Sequence, residues 1–459
     1  GDTITSGCEN VAVGYDTLSA IDSGSRNTAM GYQALKTLNV GGIGANTAVG
    51  YNAGTLMTTG VKNTLIGAAA GDALTEGHSN TAVGYESLSA SVDGDGNTAI
   101  GYLALRVYED GDGNGNNTAV GSQSQVAATT GEFNTSVGSL SFGSGVLTGD
   151  ANVAFGYDAG NTLTSGGSNV LLGTSAGNSL TTGSNNIAIG HAALHTEDTH
   201  GKNVAIGQEA LSLQDAGADA HNVAVGHNAG KVMTTGTENT LIGGLAGDSL
   251  TTGSANVAVG YLALSAEDAH GTNTAIGFKT LRVQDAGANV YNVAVGYQAG
   301  ENVTTGAYNT LVGGLAGDAL TTGNDNIAVG VNALSTEDAH GRNVAIGRDA
   351  LKLQNAGADA YNTAVGYVAG ANVTTGTANT LIGGQAGDAL TTGHYNVALG
   401  YGALGSEDAH SANVAIGANA LLTLNAGADG FNVAIGHDAG KLMTTGVGNT
   451  ILGGLAGDA

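Results

Sequence analysis

Asparagine recurs along this chain at a nearly fixed interval, and each copy opens a five-residue segment that we call an anchor, in most cases Asn-(Thr/Val/Ile)-(Ala/Leu)-(Val/Ile)-Gly. From Asn186 to Asn256 the successive spacings are 17, 19, 17 and 17, and this set repeats at 70 (256 minus 186, then 326 minus 256). Counting every copy from Asn10 to Asn449 gives 26 anchors. A short, regular period indicates one structural unit stacked many times, so the sequence predicts a solenoid or fibre.

Composition excludes the other periodic or glycine-rich folds. The chain has 80 glycines and no proline, without a Gly-X-Y period, so it is not collagen. Glycine in nearly every short segment is costly inside a helix, which argues against helical repeats. A flexible linker would lack the Val, Ile and Leu that recur here at fixed offsets.

Charge and apolar patterning limit the partners. Twelve Lys and Arg against 38 Asp and Glu give a net charge of −26, which argues against binding nucleic acid or anionic lipid. Such a charge is typical of a soluble extracellular surface, or of one that recruits divalent cations. No apolar run approaches the roughly 20 residues of a membrane helix, so no membrane insertion is expected in this segment. Cys8 is the only cysteine, so disulfides do not hold the fold together.

The repeat predicts a single continuous β-solenoid over residues 1–459. Four kinds of anchored segment alternate, and one additional pair interrupts their order after Asn134. Both chain ends fall inside a repeat, which predicts a window of a longer repeat protein. The predicted units are 10–79, 80–151, an extra pair 152–185, 186–255, 256–325, 326–395 and 396–459.

Each segment is expected to form one coil of an all-β parallel solenoid, with about one coil per 17–19 residues. Two short extended stretches, the anchor and the Ala-Leu or Ala-Gly stretch after it, would be separated by Gly-containing turns. The asparagines would stack as a hydrogen-bonded amide ladder. The predicted ladder residues are Asn186, Asn203, Asn222, Asn239, Asn256, Asn273, Asn292 and Asn309.

Alternation along the anchor predicts which residues are buried. Positions two and four share a face, and position four is almost always a large apolar residue. The predicted core residues at position four are Val259, Ile276, Val295, Val312 and Ile346. Position three is Ala or Leu in nearly every repeat although it points the other way, so this second face is predicted to contact another chain, most simply in a homotrimer. A monomeric triangular β-helix is the alternative.

The segment Asn-Thr-Ala-Val-Gly-Tyr-Asn-Ala-Gly, residues 46–54, resembles the head repeat of trimeric autotransporter adhesins and repeats in phage tail fibres. The resemblance covers essentially the whole chain. It implies a left-handed parallel β-roll that trimerises, located outside the cell on a bacterial or virion surface. It is specific for architecture and does not identify a ligand.

Three further patterns are candidate sites. Asp110, Asp112 and Asn114 have the oxygen spacing of half a calcium loop, but the twelfth position is Gly121 rather than an acid, so a solvated turn is favoured over a Ca²⁺ site. Glu-Asp-x-His recurs at 197–200, 267–270, 337–340 and 407–410, and a surface turn is favoured there over a transition-metal site. Tyrosine follows the anchor glycine in ten repeats, and such residues pack between repeats more often than they bind sugars; the candidate contact residues are Tyr261, Tyr297 and Tyr367.

No arrangement of nucleophile and base predicts catalysis, so no catalytic residue and no cofactor are expected. The sequence predicts a non-enzymatic extracellular structural or adhesive fibre that presents an attachment surface. Its expected partners are further copies of itself and a cell-surface glycan or matrix. A self-assembling extracellular filament and an ice-binding solenoid are the alternatives, the latter disfavoured because threonine alternates with valine at anchor position two.

Overall fold

The computed structural model describes residues 3–109 and 115–458 of the chain. They divide into two compact units, Gly1–Thr235 and Gly236–Ala459. Each unit is built from three-residue strands joined by turns and bends. Over the described ranges, no helix is long and apolar enough to cross a membrane.

The first unit is a stack of parallel strands, one per coil. Each strand pairs with the strand of the next coil, and equivalent anchor positions are partners, as Ala188 is with Ala205. The interval between the starts of consecutive strands ranges from 17 (28 minus 11) to 20 (118 minus 98). The strands are Val11–Val13 (β1), Thr28–Met30 (β2), Thr47–Val49 (β3), Thr64–Ile66 (β4), Thr81–Val83 (β5), Thr98–Ile100 (β6), Thr118–Val120 (β7), Thr135–Val137 (β8), Val153–Phe155 (β9), Val170–Leu172 (β10), Ile187–Ile189 (β11), Val204–Ile206 (β12) and Val223–Val225 (β13).

The second unit repeats the arrangement, again with parallel pairing between equivalent positions of consecutive anchors. Here the interval between strand starts is either 17 (257 minus 240) or 19 (293 minus 274). The strands are Thr240–Ile242 (β14), Val257–Val259 (β15), Thr274–Ile276 (β16), Val293–Val295 (β17), Thr310–Val312 (β18), Ile327–Val329 (β19), Val344–Ile346 (β20), Thr363–Val365 (β21), Thr380–Ile382 (β22), Val397–Leu399 (β23), Val414–Ile416 (β24), Val433–Ile435 (β25) and Thr450–Leu452 (β26). The prediction of an all-β parallel solenoid, with one short coil per anchored segment, is therefore confirmed.

Over residues 3–109 and 115–458, each coil contains one strand rather than the two extended stretches expected from the sequence. After β15 the chain forms turns over 261–264, where Leu262 and Leu264 have φ of 56° and 53°. Leucine rarely adopts a positive φ, so its presence gave no sign of a turn. The backbone still bonds between coils, because the Leu264 N–H donates to the Thr280 carbonyl oxygen at 3.0 Å.

The predicted inner face of the strand is wrong. Anchor position three, as in Ala258 and Ala275, is completely buried, whereas position four faces outward. Ile276 and Ile346 are each 37% exposed, and the other predicted core residues are half-buried. The five residues concerned are Val259, Ile276, Val295, Val312 and Ile346.

Position three is small because it lies inside its own coil, where turn residues already occupy the space, and not because a second chain packs there. In the coil of Ala258 the buried turn residue eight positions after the asparagine is Leu264. In the coil of Leu311 that turn residue is Gly317, where a Cβ would lie 2.7 Å from a Leu311 methyl carbon. Large and small residues are thus exchanged across these two kinds of coil, which keeps their interiors filled.

Glycine at anchor position five is required by the close stacking of the coils. Gly260 has a φ of 138°, a backbone conformation that side chains disfavour. A Cβ there would lie 2.2 Å from the carbonyl oxygen of Gly277 in the next coil. The glycine therefore allows the backbones of neighbouring coils to approach closely.

Candidate functional site

The anchor asparagines form a buried column that fixes the position of each coil on the next. The Asn309 backbone N–H donates to Oδ1 of Asn292 at 2.9 Å, and Asn309 Oδ1 accepts from the Asn326 N–H at 3.0 Å. Asn309 Nδ2 donates to the Gly323 carbonyl oxygen at 2.8 Å. The side chain therefore bridges the backbone of its own coil and the next. The expected amide-to-amide bonds occur at other steps of the column, as from Asn169 Nδ2 to Asn152 Oδ1 at 3.0 Å.

This pattern recurs within each unit. Every predicted ladder residue is at most 1% exposed. In both units the Oδ1 of one asparagine accepts from the backbone N–H of the next. The residues are Asn186, Asn203 and Asn222 in the first unit, and Asn239, Asn256, Asn273, Asn292 and Asn309 in the second.

The outward side of the strands presents a row of aliphatic and threonine side chains, and we call anchor positions two and four the strand face. In the second unit Ile276, Val293 and Ile327 are 37%, 37% and 39% exposed. The β-branched residues suit a flat, pleated surface, and parallel pairing aligns them along the stack. A continuous exposed apolar surface is typical of a protein interaction site.

Aromatic residues directly after the anchors form stacked columns. The rings of Tyr261 and Phe278 lie 5.8 Å apart between centroids, and those of Phe278 and Tyr297 lie 5.4 Å apart at an interplanar angle of 5°. Tyr261, Tyr297 and Tyr367 remain about half exposed, and the Arg348 guanidinium lies 5.8 Å from the Tyr367 ring centroid. These rings pack between coils and also present an aromatic surface to solvent.

The calcium-like residues Asp110, Asp112 and Asn114 lie outside the described residues. A similar Asp-Gly-Asp turn at residues 93–95 lies within the described residues. Its Asp95 carboxylate accepts a hydrogen bond from the His78 backbone N–H. Asp95 therefore has a structural role in joining two coils.

The Glu-Asp-x-His turns differ from the expected surface turns because their glutamates are completely buried. Glu267 Oε1 accepts from the His270 backbone N–H at 3.2 Å and lies 3.4 Å from His270 Nδ1. Within the described part of the chain, Glu267 Oε2 has no hydrogen-bond partner, and neither has His270 Nδ1. Burial raises the pKa of Glu267 to about 7, and the His270 N–H opposes this by favouring the carboxylate. Burial likewise raises the pKa of Glu197 to about 7 and that of Glu337 above its usual value.

The sequence did contain a sign of this burial. Glu267 lies eleven residues after its anchor asparagine, and Ile21 and Ser91 lie at the same offset in their own coils. Both are completely buried. The apolar Ile21 at the equivalent position therefore indicated that this position is internal. The spacing of residues within the Glu-Asp-x-His turn does not by itself give this information.

The raised pKa of Glu267 makes stability depend on pH. Because burial holds the pKa of Glu267 in the folded protein above its ordinary value of 4.5, folding favours the protonated form. This contribution is complete below about pH 4.5 and is lost as the pH rises through about 7. With a chelator present, Glu267→Gln should match the wild type in unfolding free energy near pH 5 and exceed it by about 1–3 kcal/mol near pH 8. Denaturant unfolding across this range measures the difference, and a pH-independent difference would contradict it.

No model of a known protein family matches this chain, and no curated protein matches it either.

Proposed function

We propose that the chain is a non-enzymatic, extracellular structural or adhesive fibre, assembled as a trimer of left-handed β-rolls. The observation that carries this proposal is the strand face, whose aliphatic side chains lie outward in both units. Each chain has its own filled interior, so these residues are available to a partner. Burying them between chains stabilises an assembly by removing apolar surface from water.

A second copy of the chain is a suitable partner for the strand face, because it offers the same periodic surface. Closed rotational symmetry buries the face of every subunit and leaves no unpaired copy. The resemblance of the repeats to those of trimeric adhesin heads and phage fibres supports three chains. The coil period would set how far one subunit is shifted along another, since the strand face repeats with each coil.

An attachment role is supported by the remaining surface. The net charge of −26 disfavours nucleic acid and anionic lipid and keeps a long repeat array soluble. The half-exposed aromatic columns, as at Tyr261 and Tyr297, offer flat faces to a cell-surface glycan or a matrix component. A bacterial or virion surface is the proposed location.

Sedimentation of the full chain tests the assembly. We expect about three chains per particle, and we expect the double variant Ile276→Lys, Val293→Lys to shift the population toward monomer. The added charges would be buried between subunits, whereas in the monomer they would face water. Ala288→Lys, at an exposed residue in a bend, is the matched control and should leave the particle mass unchanged. A wild-type monomer at micromolar concentration would exclude this assembly.

Binding to glycan arrays and to matrix proteins tests the attachment role separately. Tyr261→Ala with Tyr297→Ala should weaken retention on the surface that the wild type binds, while sedimentation and circular dichroism remain unchanged. Retention that does not depend on these tyrosines would place the attachment surface elsewhere.

A further inference from the structure

The Glu-Asp-x-His turns bring together side chains that are known metal ligands. In the second copy, Glu267, Asp268, His270 and Asp285 each offer one ligand atom, and these atoms lie within 4.8 Å of one another. Equivalent clusters occur around Glu197, Glu337 and Glu407. Each cluster combines carboxylate oxygens with an imidazole nitrogen, a donor set that suits Zn²⁺ and related divalent ions.

A second observation distinguishes these clusters from ordinary acidic turns. The glutamate of each cluster is 0% exposed, and among the described residues Oε2 of Glu197, Glu267 and Glu337 has no partner with hydrogen-bond geometry. The Ala216 and Ala356 backbone N–H groups lie near enough to the first and third glutamates to favour their ionised forms, but they leave this oxygen without a well-formed bond. In the fourth copy Oε2 of Glu407 accepts only a long bond, 3.4 Å from the Ala426 backbone nitrogen. A buried carboxylate oxygen without a partner is costly, and a cation bound by both oxygens of the carboxylate would satisfy it.

The fold does not itself require a carboxylate at this position. Ile21 and Ser91 occupy the same offset in other coils and are equally buried. A glutamate there, repeated four times with a histidine three residues later, therefore has to be explained by something other than packing. The histidine is 22–29% exposed in the four copies, which leaves the site accessible to an ion from solvent.

We propose that the four Glu-Asp-x-His turns are binding sites for divalent transition-metal ions, with Zn²⁺ as the ion that best suits their ligands. The buried glutamate and the histidine Nδ1 form the centre of each site. In three copies Glu Oε1 and His Nδ1 lie 3.4–3.7 Å apart, a separation compatible with two ligands each about 2.0–2.2 Å from one zinc ion. In the fourth copy, His410 Nδ1 and Glu407 Oε1 lie 2.9 Å apart and are hydrogen-bonded.

The four copies differ at one position in a way that orders their affinities. Eighteen residues after the glutamate, the first two copies have Asp215 and Asp285, whereas the last two have Asn355 and Asn425. The backbone is equivalent at all four, because each N–H donates to a threonine carbonyl oxygen of the next coil, at 2.7–3.0 Å. Since a carboxylate binds a cation more strongly than an amide oxygen, the first two sites are the tighter ones.

A titration of the untagged full chain with Zn²⁺ after treatment with a chelator tests the proposal. Calorimetry should resolve two tighter and two weaker sites per chain, and Mg²⁺ at the same concentration should bind far less. Co²⁺ provides a second readout, since its visible absorption reports nitrogen and oxygen coordination. No Zn²⁺ binding in the micromolar range would overturn the proposal.

Three variants locate the ions. Glu267→Gln should remove one tight site, Asp285→Asn should convert one tight site into a weak one, and Asn355→Asp should convert one weak site into a tight one. Asp325→Asn, at an exposed acid outside the clusters, is the control and should change nothing. Asp285→Asn, Asn355→Asp and the control Asp325→Asn change residues that lie outside the strands and are not buried. The fold should therefore be retained in these variants, which circular dichroism verifies. Zn²⁺ binding that is insensitive to the first three would place the ions on ordinary surface acids and refute the proposal.

Discussion

Ala294→Asp is expected to destabilise the coils around β17 by more than about 4 kcal/mol. Ala294 is completely buried, and the space beside it already contains side chains from the neighbouring coils. A Cβ at Gly300 in the same coil would lie 2.7 Å from Leu311 Cδ1 and 3.0 Å from Leu281 Cδ2. A carboxylate at residue 294 would therefore be crowded by methyl groups and would have no partner for its charge. Thermal unfolding and amide hydrogen exchange across β16 to β18 would measure the loss.

Val295→Asp is the matched control, because it places the same charge on the next residue of the same strand. Val295 faces outward and is only half-buried, so the carboxylate can reach water, and we expect a loss of about 1 kcal/mol or less in the monomer. Measurements under conditions that keep both variants monomeric separate folding from assembly. Equal losses in the two variants, or a larger loss for Val295→Asp, would contradict the assigned interior.

The contrast between these neighbouring residues explains where prediction from the sequence failed. The period of the asparagines was sufficient to predict stacked parallel coils and their register. It was not sufficient to orient the strand, because both faces of Val293–Val295 are apolar. Alternation along the strand then does not indicate which face is buried. Side-chain size favoured the valines as core, but an alanine suffices on the inner side of this strand because Leu281 and Leu311 of the neighbouring coils occupy the space beside Gly300.

The signal that would have oriented the strand lies in the pairing of positions across the coil. Leu311 occurs with Gly317 at the facing turn position, and Ala258 occurs with Leu264. Volumes that compensate each other indicate side chains that share one space. The coil of Ala294 lacks this exchange, because its facing turn residue is Gly300 and leucines of the neighbouring coils fill the space beside it.

Turn conformation and the burial of the glutamates were harder to predict. Local preference argues against a positive φ at Leu262 and Leu264, and only the stacking of the coils compensates for it. Glu267 reads as a solvated residue in an acidic turn when considered alone. Ile21, at the same offset in another coil, is the residue that indicates an internal position for Glu267.

Asn309→Ala is expected to lower the free energy of unfolding by about 2–5 kcal/mol. The substitution removes the Oδ1 that accepts from the Asn326 N–H and the Nδ2 that donates to the Gly323 carbonyl oxygen. Asn309 and Asn326 are both completely buried, so water cannot readily replace the missing partners. Two neighbouring coils lose a backbone contact from one substitution. Chemical unfolding gives the total loss, and hydrogen exchange at the Asn326 amide should accelerate most.

Asn302→Ala provides the comparison that separates burial from hydrogen bonding itself. Asn302 Nδ2 donates to the Asp318 carbonyl oxygen at 2.8 Å, as Asn309 Nδ2 does to Gly323, but Asn302 is exposed. Water can replace its bond, so we expect a loss of about 0.5 kcal/mol or less. If the two variants were equally stable, the asparagine column would not be what holds one coil in place on the next. The repeated asparagine would then have to be explained by a preference for the turn that precedes the strand, since Tyr308, the residue before Asn309, has a φ of 59°.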